Sequence, residues 1–319
     1  MANLNKLFIS FSQDITISTT KKDSLKRSRD ALRQDIRNWF YDNDKRQPFF
    51  KGQGSYAMKT LLNPIGGNEY DIDDGIYISG YGNEDISKWP SPVTVHAWIK
   101  KAVEDRTYAG AIDKDTCVRV SYSSGYHIDL PAYICSGDNA YLAHKGKGWF
   151  ISDPKSFTKW FIDKVKNEQV YGEQLRRIVK YLKAWRDYKG IPLKGIEITI
   201  LASRFFDKYE GRDDKCLKNT VDRIVLEIKN NFHCYKPVEP YEDLFEKSSD
   251  TRKKNIIDGF ESLLESLDKS INEEDERKAS EIIQSKVFGA RFPLGNETKN
   301  DQYVASASPG VLRNDGRSA

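Results

Sequence analysis

Two short stretches of this chain bring together side chains suited to phosphoryl chemistry. In Phe50-Lys51-Gly52-Gln53-Gly54-Ser55 two glycines let backbone N–H groups approach a triphosphate closely, and the Ser55 hydroxyl can donate to a phosphate oxygen. Further on comes Glu69-Tyr70-Asp71-Ile72-Asp73-Asp74-Gly75-Ile76-Tyr77-Ile78, which reads as a strand. Side chains alternate across a strand, so Asp71 and Asp73 share one face and Ile72 takes the other. A third acid, Asp129, follows in His127-Ile128-Asp129 on a later apolar strand. Carboxylates so placed can hold two metal ions about 3.5–4 Å apart, which activate an attacking hydroxyl and stabilise a leaving pyrophosphate. Mg²⁺ suits the role because it prefers carboxylate and phosphate oxygens, with Mn²⁺ as the alternative ion. The order predicts a two-metal nucleotidyl-transfer site. Asp71, Asp73 and Asp129 are its catalytic and metal-holding residues, and Gln53, Gly54 and Ser55 its contacts with the nucleotide.

These residues need a scaffold, and the periodicity supplies one. Residues 23–46 read as a long amphipathic helix with Leu25, Leu32, Ile36, Trp39 and Phe40 as its apolar stripe, capped by Asp23 or Ser24. Pro90-Ser91-Pro92 breaks the chain before a second amphipathic segment, 93–103. Thr116 to Tyr122 alternates as a strand, Ser123-Ser124-Gly125 is a turn, and Tyr126 to Ile134 is the expected antiparallel partner. After Gly148 the pattern becomes helical. Asp153-Pro154 is an N-cap followed by a first-turn proline. From Tyr171 to Tyr188 the apolar residues Leu175, Ile178, Val179, Leu182 and Trp185 recur at helical spacing. Helices are also expected over 221–232, 255–271 and 273–288, with Gly289 as a C-cap. The segment 295–319 is polar and rich in Gly, Ser and Asn, and reads as a flexible tail.

On the 171–188 helix, Arg176, Lys180 and Lys183 fall at i, i+4 and i+7, off the apolar stripe. They are either a solvated face or a triphosphate clamp facing the acids. Arg119, on the hairpin that carries Asp129, is a second phosphate candidate, since a guanidinium can hold two oxygens at once. His127 shares the face of Asp129 and reads as a packed or supporting neighbour of the acids, with a direct chemical role as the alternative. No Ser-His-Asp arrangement is readable.

The bulk numbers bound the class. At roughly 150 residues per domain, the 319 residues suggest two domains or one bilobal unit. Hydrophobic content of 38%, with 12% aromatic, supports a packed core. Fifty-one basic residues against 47 acidic give a net charge of +4, which argues against a dedicated duplex-DNA binder. No apolar run approaches the roughly 18 residues of a membrane span, and the start of the chain lacks a signal-peptide pattern. Cys117, Cys135, Cys216 and Cys234 form no Cys-x-x-Cys pair, so buried free thiols are expected rather than zinc or disulfides. The expectation is a cytoplasmic protein.

Five stretches in order resemble the cGAS/DncV-like nucleotidyltransferases of bacterial anti-phage signalling, in the branch of the Vibrio dinucleotide cyclase. They are Gln53-Gly54-Ser55-Tyr56, Asp71-Ile72-Asp73-Asp74-Gly75, His127-Ile128-Asp129-Leu130-Pro131, Ser152-Asp153-Pro154 before Trp160-Phe161, and Leu182-Lys183-Ala184-Trp185-Arg186-Asp187. The resemblance implies an α+β fold: a polymerase-β-like nucleotidyltransferase core with a mixed β-sheet (1–150), a helical C-terminal lobe (151–294) and the tail (295–319). It implies two nucleoside triphosphates, ATP or GTP, joined with Mg²⁺ into a cyclic di- or oligonucleotide messenger. It assigns Asp71, Asp73 and Asp129 to the metals, Ser55 and Lys183 to the donor triphosphate, and Arg119 to a phosphate. Lys194 and Gly195 stand where the family places a phosphate-touching serine, which makes Lys194 the candidate substitute. In several such systems ubiquitin-like conjugation enzymes act on the C-terminus, so those enzymes are an implied partner. Two other readings stay open on the residues alone: a nucleotidyltransferase making linear oligonucleotides or modifying a small molecule or protein, and a nucleotide-sensing binding module.

Overall fold

The computed structural model describes residues 1–66 and 69–296. The tail reading therefore lies, from residue 297 onward, outside the described residues. The chain opens with a helix that the periodicity did not signal, α1 (Asn5–Ile15), followed by α2 (Thr19–Asp42). α2 starts earlier than expected because Ser18, not Asp23 or Ser24, caps it: its Oγ accepts the Lys21 N–H at 3.3 Å. Then come β1 (Pro48–Gln53), the single turn α3 (Gly54–Ala57), β2 (Tyr70–Ile78) and α4 (Pro92–Val103). Six short strands complete the sheet: β3 (Ala111–Asp113), β4 (Val118–Tyr122), β5 (Tyr126–Leu130), β6 (Ala132–Ser136), β7 (Asn139–His144) and β8 (Gly148–Ile151).

The eight strands form one mixed sheet around β2. β1 runs antiparallel to β2, while β5 and β6 run parallel to it. The stretch 126–134 is thus two strands, not one. Pro131 has no N–H to continue the ladder, and its carbonyl instead accepts from the Ile76 N–H at 2.9 Å. One sheet face packs Ile76, Val118, Val120, Ile128 and Leu130 against Leu32, Ile36 and Phe40 of α2 and Val95, Ile99 and Val103 of α4. Burial of each such side chain contributes roughly 1.5–3 kcal/mol. A one-residue slip would drive Asp71, Asp73, His127 and Asp129 into that core, so the apolar face fixes which way the acids point.

The remaining helices are α5 (Pro154–Asn167), α6 (Gly172–Lys189), α7 (Gly195–Arg204), α8 (Asp213–Asn230), α9 (Asp250–Asn272) and α10 (Glu276–Ile283). A π-helical turn, Gln284–Phe288, ends at the expected C-cap Gly289, whose positive φ of 71° favours glycine. The Asp153 cap forms as expected, accepting the Ser156 N–H at 2.9 Å. α8 and α9 both begin several residues before the starts read from periodicity, because acidic first turns extend them beyond the apolar repeat. α6 lies at the centre of the helical core, and α1 joins that core rather than the sheet: Phe8 and Phe11 pack on Tyr181, Phe288 and Phe292. Cys117, Cys216 and Cys234 are buried free thiols, and Cys135 is half-buried. No helix among the described residues is long and apolar enough to cross a membrane.

Candidate active site

The parallel pairing of β2 with β5 sets Asp71 beside His127 and Asp73 beside Asp129. All four side chains stand on the sheet face opposite the apolar core. One ligand atom each from Asp71, His127 and Asp129 lies within 4.8 Å of the others. The Asp73 carboxylate packs against the Gly-Ser turn: a Cβ built on Gly54 would sit 2.2 Å from its Oδ2. Burial first, and then the charges of Asp71 and Asp129, push the Asp73 carboxyl up to about 7, against a smaller opposing pull from Arg119. Carboxylates crowded so that one resists ionisation are a donor set that a hard divalent cation fits. The adjacent Asp74 has a different task. It points into the core side and takes two hydrogen bonds from Arg33 of α2, at 2.6 and 2.7 Å.

Gly54 is needed twice over. Its φ of +67° is left-handed, and the space for a side chain is already filled by Asp73. Gly54→Ala would face about 1–2 kcal/mol of backbone strain and would displace the carboxylate. We expect turnover to fall by at least about tenfold, since small misplacements of reacting groups are costly, with a melting temperature lowered by a few degrees. Steady-state rates and a thermal melt on the same preparation check this.

Across the acids lies a cleft of about 490 Å³, lined among others by Gly54, Ser55, Asp71, Asp73, Lys183, Arg186 and Gly195. A second cavity, about 300 Å³, shares Gly54, Asp73 and Pro154 with it and reaches Asp129, Cys117 and Tyr133. Asp73 therefore stands between two spaces. A larger open groove, about 890 Å³, runs between α8, α9 and α10 and holds none of these residues.

The basic residues divide in ways the helix spacing did not reveal. Arg176, Lys180 and Lys183 are not a solvated face. Arg176 donates to the Met58 carbonyl at 3.3 Å, Lys180 to Thr16 Oγ1 at 2.8 Å, and Lys183 to Thr60 Oγ1 at 3.1 Å. Together they fasten α6 to the segments around the Gly-Ser turn. Lys183 also lines the cleft; Lys180 does not, so its expected place on the nucleotide is not seen here. Burial, then Arg186, pulls the Lys183 ammonium down to about 8. Arg119 is not free for a phosphate either: it grips both oxygens of Asp129, at 2.6 and 2.7 Å. Gln53 is buried, its amide held between the Tyr133 and Tyr77 hydroxyls, so it braces the turn and faces the second cavity. Lys194 is exposed and outside the cleft lining; the neighbouring Gly195 lines it in its place. Arg186 was missed as a cleft residue. Its spacing of i+3 from Lys183 was the available signal.

Residues 48–133 match the family model for the nucleotidyltransferase domain of cyclic GMP-AMP synthase DncV-like proteins. Over these residues the chain is similar to a DncV-like nucleotidyltransferase domain. The match covers the Gly-Ser turn and all three acids. A c-di-GMP synthase from Roseivirga ehrenbergii is 27% identical over 245 residues, 65% of this chain and 61% of that protein. A cyclic GMP-AMP synthase from Escherichia coli is 28% identical over 217 residues, 54% of this chain and 49% of that protein. The chain thus spans about half to three fifths of the length of these curated relatives. The GTP-bound form of Vibrio cholerae DncV has a TM-score of 0.78 at 19% identity, covering 91% of this chain and 96% of that one. At that identity the likeness speaks for the fold: a DncV-like core joined to a helical lobe, as the sequence implied.

Proposed function

We propose that this chain is a divalent-cation-dependent nucleotidyltransferase that joins nucleoside triphosphates into a cyclic di- or oligonucleotide, releasing pyrophosphate. The observation that carries the reading is the face on which Asp71, Asp73 and Asp129 meet the Gly54-Ser55 turn, with Lys183 and Arg186 across the cleft. Support also comes from the relatives named as c-di-GMP and cyclic GMP-AMP synthases. A solved form of the Vibrio cholerae enzyme is in complex with a linear intermediate of two nucleotides. Another carries alanine in place of two aspartates spaced by two, the spacing of Asp71 and Asp73.

In this reading Asp71 and Asp73 hold the cations, and Asp129, itself a ligand of one of them, orients the acceptor 3′-hydroxyl. Bound cations would supply a lowered pKa at that hydroxyl and offset the charge of the leaving pyrophosphate. Ser55 and the N–H groups of the Gly54 turn donate to donor-phosphate oxygens. Lys183 and Arg186 set positive charge beside them, and the α7 N-terminus at Gly195 adds its backbone dipole. For Arg119 to contact a phosphate it must first release Asp129, so that role belongs to the substrate complex. The second cavity beside Asp129 is the space for the acceptor nucleotide. Catalysis then rests on positioning and charge neutralisation. A cyclic product would serve as the messenger in the anti-phage signalling that the sequence resemblance implies.

The test is incubation with labelled ATP, GTP, CTP and UTP and Mg²⁺ or Mn²⁺, reading pyrophosphate release and products by mass spectrometry. Cyclic products are expected. Linear oligomers alone would overturn the cyclisation step, and nucleotide binding without pyrophosphate release would overturn the enzyme reading.

A further inference from the structure

The sequence favours a packed or supporting place for His127 beside the acids over a direct chemical role, but its surroundings assign it more. It sits on β5 opposite Asp71 and two residues before Asp129, on the same face as both. One of its ring nitrogens lies within 4.8 Å of a carboxylate oxygen of each. The residue is 8% exposed, so packing limits how its ring can turn. Its Nδ1 lies 3.0 Å from Oε2 of Glu69. An ionised carboxylate can only accept, so Nδ1 carries the hydrogen of that bond. In the neutral ring Nε2 then keeps its lone pair. Metal-ligating histidines have this arrangement, with one ring N–H tied to a carboxylate and the other nitrogen free to bind. A neutral imidazole also adds a donor without adding negative charge, where Asp71, Asp73 and Asp129 already crowd one another. Arg119 meanwhile offsets part of the charge of Asp129.

We propose that His127 is itself a ligand of the cation held by Asp71 and Asp129, oriented by Glu69, and that it biases that position toward a first-row transition cation over Mg²⁺. The proposal rests on reading the acids as a cation site and goes beyond it by naming a nitrogen ligand and a metal preference. Mg²⁺ favours oxygen donors and binds imidazole poorly, whereas first-row divalent ions accept both.

The test uses Mn²⁺ as the probe on the full chain without nucleotide. Electron spin-echo modulation of bound Mn²⁺ is expected to show coupling to a directly bound ¹⁴N, and His127→Asn to abolish it. Mn²⁺ affinity, read from the loss of the free-ion resonance, should fall about tenfold or more in His127→Asn. A similar loss of at least about tenfold is expected in Glu69→Gln, as for other partners that orient a ligating histidine. Mg²⁺ affinity, measured by competition, should fall less in both. Glu69 has a largely exposed side chain, so Glu69→Gln keeps the test open should His127→Asn fail to fold. Mn²⁺ binding that Asp71→Asn weakens but that shows no ¹⁴N coupling would overturn the role of His127 and leave the acids' role standing. An absence of Mn²⁺ binding would overturn both.

Discussion

Replacing Asp71 and Asp73 together by asparagine is expected to abolish product formation while leaving the metal-free fold as stable as before, or more so. Both acids face the same cleft, and neither supports the core; the core-facing acid is Asp74. Loss of the cation-holding pair should lower turnover by at least about a thousandfold, the scale on which preorganised charge acts in catalysis. The stability arm follows from linkage. The Asp73 carboxyl is pushed up to about 7 in the folded chain, against an ordinary value near 3.9. Between those values the folded state binds a proton that the unfolded state lacks. The metal-free protein therefore loses stability as pH rises through this window, and carries the full cost above it. Asparagine carries no charge, so the variant should melt at the same or a higher temperature at pH 8, with the difference shrinking toward pH 5. Mg²⁺ should raise the melting temperature of the native sequence more at pH 8 than at pH 6, because below pH 7 the ion must displace a proton. It should do little for the variant. Calorimetry with and without Mg²⁺, beside product analysis, reads each arm. Sustained turnover in the double variant would remove the acids from the chemistry.

The second large effect is expected at Lys183. Its ammonium is buried, lines the cleft and is pulled down to about 8, from an ordinary value near 10.4. In that window the unfolded chain holds a proton that the folded chain has lost, so stability from this group rises as pH rises from about 8 to about 10. Below pH 8 the charged, desolvated ammonium is a cost that a triphosphate would relieve. ATP binding near pH 8 should therefore be accompanied by proton uptake, visible as calorimetric enthalpies that change with the ionisation heat of the buffer. In Lys183→Ala that uptake should vanish and affinity fall at least about tenfold, consistent with the loss of a charge-assisted hydrogen bond. Stability at pH 7 should change little, since the lost bonds to Thr60 are offset by the removed desolvation cost. Lys180→Ala is the contrast. Lys180 is also buried and also pulled down to about 8, chiefly by burial. Its Nζ is bound to Thr16 and it does not line the cleft, so nucleotide affinity should not move. Equal losses in the two variants would place the clamp along the whole α6 stripe instead.

Local pattern made much of this site readable. Strand alternation put Asp71 and Asp73 on one face because side chains repeat every second residue, and no distant contact can change that. The apolar repeat of α6 and the Asp153-Pro154 start of α5 are likewise properties of consecutive residues. The Gly-Ser turn was marked by the residue type that tolerates a left-handed backbone, and Gly54 has that conformation. What composition and spacing determined, then, is which residues carry charge, which faces they share within one element, and where α5 starts at its Asp153 cap.

The partners of those charges were decided only in three dimensions. Arg119 faces Asp129 because a hairpin brings β4 back along β5, and a guanidinium beside a carboxylate closes on it rather than waiting for a phosphate. Lys180 and Lys183 have the same helical spacing and opposite fates, since one meets Thr16 and the other the cleft wall. The approach of Glu69 to His127 depends on the parallel β2–β5 pairing, which joins segments far apart in the chain. α1 was invisible as part of the helical core because its aromatic residues find their partners on α6 and the 288–292 segment. Periodicity is a local property of the backbone. The partner of a buried charge or ring is chosen by the long-range packing that removes it from water, and that choice exists only in the folded chain.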